Sequence, residues 1–425
     1  MGADRTVPSG QVGRGRRRAV RSSEDRGVSA DATQTRTPRL TAVMRQTERV
    51  TPLELFFDLV FVLALTQCTA LMSVEPTWTG VAKGLLVLGV LWWSWVGYAW
   101  LTSVVDPEEG AVRFAMFAAM AALLVAALCV PDAFGDDALL FACAYGIVRA
   151  AQIALFLLAS RDDPALRQSV LGLAGGSAVG VGLLIAASGL DGWAQGGLWA
   201  LALALDMAEP FFFGSSGWSL EHPSHFAERH GLIIIIALGE SIVAIGVGAG
   251  SAVDAGVVVA ATLGIAVGAA LWWLYFDVIA LLSERDLARL PPGRERNERA
   301  RDSYSYLHFP MVAGIVLAAL GMKKTLADVG EPLEAVPAFA MLGGVAIYLL
   351  AHVAHRLRNV RTVNNHRLVC AVVLLLLIPV ATEVSALAAL LAVTAALWIL
   401  IALEAVRFTG SRERARRALA EDTAH

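Results

Sequence analysis

The chain has 425 residues, 57% of them hydrophobic and 17% charged, and its mean hydropathy is +0.62. Soluble domains carry roughly 45–50% apolar and about 25% charged residues, so this composition excludes soluble enzymes, nucleic-acid binders and disordered scaffolds. The net charge is only −3, yet charge is strongly segregated along the chain, and just three of the 34 basic residues are lysine.

Residues 1–46 form the first segment. Eleven arginines fall in the first 50 residues, Arg16, Arg17 and Arg18 among them, with no periodic apolar pattern. Such a stretch cannot bury a core, so a disordered cytoplasmic arm is expected, able to touch anionic lipid headgroups. The first apolar run follows at Leu53 and has no small-residue cleavage site beside it, so it is expected to be a retained helix.

A transmembrane helix needs about 20 mostly apolar residues. Twelve such runs occur, at 53–74, 80–104, 111–130, 138–159, 168–189, 193–213, 230–250, 255–282, 304–322, 335–355, 367–384 and 386–406. They are too long and too uniformly apolar for barrel strands. With both termini on one side, thirty arginines fall on that side and three lysines on the other: Lys83, Lys323 and Lys324. The side rich in arginine is the cytoplasmic one.

Residues 91–101 read LWWSWVGYAWL and 271–281 read LWWLYFDVIAL, a shift of 180. Upstream, Glu54 and Ala64-Leu65-Thr66-Gln67 parallel Glu228 and Ala237-Leu238-Gly239-Glu240, shifts of 174 and 173. An internal duplication follows, with six spans per copy, so both copies enter the membrane in the same direction. The expected fold class is an all-α polytopic membrane protein of about twelve helices as two parallel six-helix repeats. The expected segments are 1–46 (basic arm), 47–220 (first repeat), 221–407 (second repeat) and 408–425 (cytoplasmic tail).

Ionisable residues at membrane depth cost about 2.5–3.5 kcal/mol by insertion scales and mark functional positions. Thr51-Pro52-Leu53-Glu54 fits a capping box, which accounts for Glu54 structurally. Asp58 lies one turn deeper on the same face, among Phe56, Phe57 and Phe61, where no cap needs it; Arg149 in the fourth span is the expected charge partner. Glu240 stands halfway along the Ile- and Gly-rich seventh span, where a buried carboxyl either pairs with a cation or holds a proton. Glu228 and His230, with His222 and His225, are read as a solvated, Arg-paired loop, with Ser224 capping the helix. Asp206 and Glu209 share a face of the sixth span. Asp277 lies in the eighth span and His308 in the ninth, while His352 and His355 share a face of the tenth, with His355 reaching the interface. Glu383 and Glu404 are read as structural, and Gly176/Gly180 and Gly264/Gly268 as helix-packing pairs.

Cys68, Cys129, Cys143 and Cys370 have no metal-ligand spacing. No metal and no cofactor are expected. HExxH and GxSxG motifs are absent and the loops are short, so an enzyme is not expected. The expected partners are the lipid bilayer and a small solute or cation, not nucleic acid; a homo-oligomer is compatible with the sequence.

Two stretches, Thr51-Pro52-Leu53-Glu54-Leu55-Phe56-Phe57-Asp58-Leu59-Val60-Phe61-Val62 and His225-Phe226-Ala227-Glu228-Arg229-His230-Gly231 through Gly239-Glu240, resemble the bacterial low temperature requirement protein A (LtrA) family over about 47–405. The resemblance implies a multi-pass protein of the bacterial inner membrane linked to growth in the cold, and brings no substrate. A more distant likeness is to potassium channels of two six-helix repeats, whose first helix carries Phe-Ser-Asp where this chain has Phe56-Phe57-Asp58. The leading expectation is a secondary transporter using Asp58, Glu240 and their partner Arg149 for proton or cation coupling, with Glu54, Glu228, His230 and Asp277 as further candidate ion-, proton- or substrate-binding residues. The alternatives are a cation channel or a structural or sensory membrane protein.

Overall fold

The computed structural model describes residues 49–422 apart from 109, 213–218, 251–253 and 278. The basic arm lies outside the described residues. The first helices are α1 (Pro52–Val74), α2 (Trp78–Thr102), α3 (Gly110–Cys129), α4 (Ala138–Ala159), α5 (Pro164–Ala187) and α6 (Gly192–Phe212). After them come α7 (Pro223–Gly248), α8 (Ala255–Phe276), α9 (Ile279–Arg289), α10 (Arg294–Ala300) and α11 (His308–Ala327). The chain ends with α12 (Ala335–Ala338), α13 (Gly344–Val360), α14 (Asn365–Ala381) and α15 (Ala386–Asp422). Turns of π-helix at Arg301–Tyr306 and Phe339–Gly343 join α10 to α11 and α12 to α13. No β-strand occurs among the described residues.

Local chemistry sets where these helices begin. The capping box at α1 forms as expected: Thr51 N donates to Glu54 Oε2 (2.8 Å) and Glu54 N to Thr51 Oγ1 (3.4 Å), with Pro52 in the first turn. Asp163, Asp254 and Asn364 cap α5, α8 and α14 through their side-chain oxygens. Capping satisfies amides that lipid could not.

Every predicted apolar run coincides with a helix. Among the described residues, ten helices are long and apolar enough to cross a membrane; α6 and the 17-residue α14 fall outside that set. Three boundaries move. The seventh helix starts at Pro223 rather than 230, with His222 in the cap position, so residues 222–230 are not a solvated loop and Ser224 is not its cap. The eighth run stops at Phe276, and α9 carries the rest of it. The ninth extends back through the π-helical turn into α10, giving a helical stretch over 294–327.

Each half orders its neighbours alike. In the first, α1 packs on α2 and α3, α3 on α4, α4 on α5, α5 on α6, and α6 on α2. In the second, α7 packs on α8 and α11, α11 on α13, α13 on α14, α14 on α15, and α15 on α8. Between the halves α1 lies against α7. Their bonded contacts step from Glu54–His225 through Asp58–Arg229 to Thr66–Glu240, so the two helices run side by side in the same direction. Large apolar side chains such as Leu59, Phe114, Ile147, Leu171, Val259 and Leu376 are exposed, the outer surface expected where lipid is the solvent.

Candidate functional site

The first cluster joins α1 to α7. Glu54 and Asp58 are four apart on α1, and His225 and Arg229 four apart on α7, so each pair shares one face. His225 Nε2 donates to Glu54 Oε1 at 2.8 Å, and Arg229 Nη1 lies 3.2 Å from the same oxygen. Arg229 Nη2 donates to Asp58 Oδ1 at 2.7 Å, as does Trp95 Nε1 at 2.9 Å. All four charged side chains are buried. The Arg229 guanidinium also lies 5.6 Å from the Trp95 ring. Asp58 is therefore held by Arg229, and not by Arg149 as the sequence led us to expect. Glu54 serves both readings: one oxygen closes the helix cap while the other enters the charge cluster.

Glu240 lies further along the same seam and is 1% exposed. It has no arginine. Thr66 Oγ1 bonds Glu240 Oε2, and the same hydroxyl lies 3.0 Å from Val62 O, so its one proton serves either acceptor; Lys323 of α11 is within Coulombic reach. A carboxyl held by hydroxyl groups, rather than locked in an ion pair, can exchange a proton or a cation without breaking a strong bond.

Arg149 occupies a separate place in the first half. Its Nη1 donates to Gln152 Oε1 at 2.9 Å and its Nη2 to Ser177 Oγ, while Nε has no partner. Asp206 Oδ2 accepts from the Tyr145 hydroxyl at 3.2 Å. Asp206 Oδ1 and Glu209 Oε2 are buried without hydrogen-bond partners, and both acids lie within Coulombic reach of Arg149 without bonding it. Glycines make the room: a Cβ on Gly180 would come within 2.9 Å of Asp206 Oδ1, and one on Gly176 within 3.1 Å of the Glu209 carboxylate. The Gly176/Gly180 pair therefore accommodates charged side chains, whereas Gly264, whose Cβ would meet Ile245 Cδ1 at 2.7 Å, is the packing contact expected. Arg149, Gln152, Glu209, Trp93 and Trp100 line a cavity of about 120 Å³, roofed by Asn297, Glu298 and Arg301 of the α9–α11 connection.

The second half contains a buried arginine that closes on itself. Arg367 Nε and Nη2 bond Glu404 Oε1 and Oε2, both at 2.9 Å, and its Nη1 reaches His352 Nδ1 at 2.8 Å. Glu404 is thus structural, as read from the sequence. His352 and His355 are not interfacial; both are buried, with His230 and His308, in an aromatic cluster. His230 and His308 have ring centroids 5.2 Å apart, and His308 and His355 5.4 Å. The π-helical turn leaves Ser303 O to accept from both His308 Nδ1 (2.9 Å) and His355 Nδ1 (3.1 Å). His308 Nε2 then accepts from Tyr275 Oη at 2.8 Å, which fixes its tautomer. Among the described residues no group of three or more His, Cys, Asp or Glu side chains could hold a metal ion.

The remaining sequence candidates fall elsewhere. Glu228 is exposed and accepts from Val50 N at 3.2 Å, and Asp277 sits at the C-terminal cap of α8. Sequence reasoning missed Arg229 and His225 as partners of the α1 acids. The signal was present: two complementary pairs, each at i,i+4 spacing.

Residues 49–402 match the model of the bacterial low temperature requirement A protein, LtrA. The chain belongs to the LtrA family. Both stretches read as LtrA-like in the sequence lie inside that match, and so do the α1–α7 cluster, Glu240 and the Arg149 cavity. The chain is also similar to uncharacterized protein RA0937 of Rhizobium meliloti (strain 1021), at 29% identity over 306 residues, 70% of this chain and 74% of that protein. No solved structure matches.

Proposed function

We propose that this LtrA protein is a secondary transporter of a small solute in the bacterial inner membrane, contributing to growth at low temperature. Its twelve helices cross as two parallel six-helix repeats, with both termini cytoplasmic. The matching order of neighbours in the two halves and the parallel seam of α1 and α7 support the repeat. The single observation that carries the transport reading is the Arg149 cavity, which holds charged atoms buried without partners. Leaving such groups unsatisfied costs about 1–3 kcal/mol each, more for charges, unless a ligand completes them.

The carboxylates divide the work. Glu54 and Asp58, clamped by Arg229 and His225, fasten the two halves together. Glu240, held by Thr66, is the coupling group that takes up a proton or cation. A passive pore along the α1–α7 seam would have to pass the Arg229–Asp58 and Thr66–Glu240 contacts, both in its path, which favours a carrier.

Purified protein in proteoliposomes under an imposed proton gradient tests this. The expected result is slow, saturable solute uptake that follows the gradient, with Glu240→Gln retaining exchange but losing gradient-driven accumulation. Ohmic single-channel currents would replace the carrier with a pore. Absence of flux across neutral, cationic and anionic solutes would leave a structural or sensory role.

A further inference from the structure

We infer that the Arg149 cavity is a binding site for a small zwitterion bearing a carboxylate and an ammonium group, the chemistry of a free amino acid. The inference rests on the transporter reading and names its solute class.

Four charged residues line the cavity: Arg149, Glu209, Glu298 and Arg301. Two of the four charged ones are already paired: Glu298 with Arg294 Nε at 2.6 Å, and Arg301 Nε with Asp302 at 2.8 Å. The other two, Arg149 and Glu209, are 2% and 5% exposed and line the same cavity without meeting. Each keeps a polar atom unpartnered, Nε on the arginine and Oε2 on the glutamate. Arg149 hydrogen-bonds only neutral oxygens, those of Gln152 and Ser177, while Asp206 and Glu209 lie within Coulombic reach of it without bonding it. A guanidinium N–H and a carboxylate oxygen, each without a hydrogen-bond partner and facing one space, ask for a ligand with both a carboxylate and an ammonium group. A simple anion would leave Glu209 Oε2 without a hydrogen bond, and a simple cation would leave Arg149 Nε so.

The remaining lining fits the same ligand. Trp93 and Trp100 line the same space as Glu209, and indole rings attract an ammonium group. A guanidinium with an open edge is the group best matched to a carboxylate. The volume admits several water molecules, hence a solute of a few heavy atoms and not a peptide. The contrast with Arg367 supports a ligand role: there the glutamate closes bidentately on the arginine and no uncompensated charge remains. Arg229 and Arg367, buried between helices, both pair directly with carboxylates; Arg149 does not.

Three isosteric probes separate the possibilities without any mutation: L-alanine, its amide lacking the carboxylate, and propionate lacking the ammonium. Thermal unfolding and calorimetry of the full-length protein in nanodiscs should show binding of L-alanine at millimolar concentration and none of the other two. Glu209→Gln should weaken L-alanine binding by about tenfold or more, the order expected for a lost charged hydrogen bond. Arg149→Lys, which keeps the charge but loses the fork, should weaken it as well. Binding of propionate or of the amide as tight as that of L-alanine would overturn the inference, and so would no response to L-alanine, glycine and β-alanine alike. Proteoliposome uptake separates the two readings. L-Alanine binding without flux would sink the transporter and keep the zwitterion site, whereas gradient-driven flux of another solute class with no zwitterion binding would do the reverse.

Discussion

At the scale of single residues, the molecule handles buried charge in two ways. Arg229 serves two carboxylates at once, and removing it would leave Glu54 and Asp58 dry and like-charged. Arg229→Gln should therefore destabilise the protein by about 3–5 kcal/mol, the usual cost of breaking a buried pair from one side. Adding Glu54→Gln and Asp58→Asn should restore most of that loss, because the glutamine still caps α1 and no buried charge is left. Unfolding followed by tryptophan fluorescence in detergent measures both, and a triple variant no better than Arg229→Gln would contradict the electrostatic account. The same logic holds for Arg367 and Glu404. Arg367→Met alone should cost about 3–5 kcal/mol, and Arg367→Met with Glu404→Leu distinctly less than the two single losses added. The sequence exposed these acids because a carboxylate in an apolar run is conspicuous. It hid their partners, because pairing across 171 residues is set by which helices meet.

Helices meet where glycine lets them. Gly321 of α11 faces the backbone of Met341, whose N and Cα would lie 2.6 Å from an added Cβ. Backbone cannot rotate away as a side chain can, so Gly321→Ala should destabilise by about 1–3 kcal/mol through overpacking. Gly239, beside Glu240 on α7, meets nothing within 4 Å of its Cβ position, and Gly239→Ala should be neutral or stabilising by about 0.5–1 kcal/mol. Thermal denaturation of the two variants side by side checks the difference, and equal midpoints would contradict the close approach of α11 to the π-helical turn. At this scale the sequence was mostly readable, since apolar length alone marks a membrane helix. It failed at the start of α7, where His222-Pro223-Ser224-His225 and Glu228-Arg229-His230 dilute the apolar signal although His225, Arg229 and His230 are fully buried. The π-helical turns were equally invisible, because nothing local in Arg301–Tyr306 announces that Ser303 O will serve two histidines from different helices.

For the whole molecule, the direction of α7 decides how many times the chain crosses the membrane. If only the ten long, strongly apolar helices span, α6 and α14 do not cross, and α7 enters from the side opposite to α1. The seam supports the twelve-crossing layout proposed above: contacts rise together along both helices, from Glu54–His225 to Thr66–Glu240, the order expected where α1 and α7 enter from the same side. Arginine placement points the same way. Twelve crossings put the six arginines of 284–302 in the cytoplasm, whereas ten would export them, against the positive-inside bias. Two exposed positions distinguish these arrangements, Glu295 in α10 and Glu331 between α11 and α12. With the four native cysteines replaced, E331C in intact cells should react with a membrane-impermeant maleimide, and E295C should react only after the membrane is opened. The reverse pattern would require ten crossings and an antiparallel α7. It would also put Asn297 and Glu298 on the opposite side of the membrane from Trp100, Phe156 and Ser169, which line the Arg149 cavity with them at the ends of α2, α4 and α5, and so would overturn that site as well.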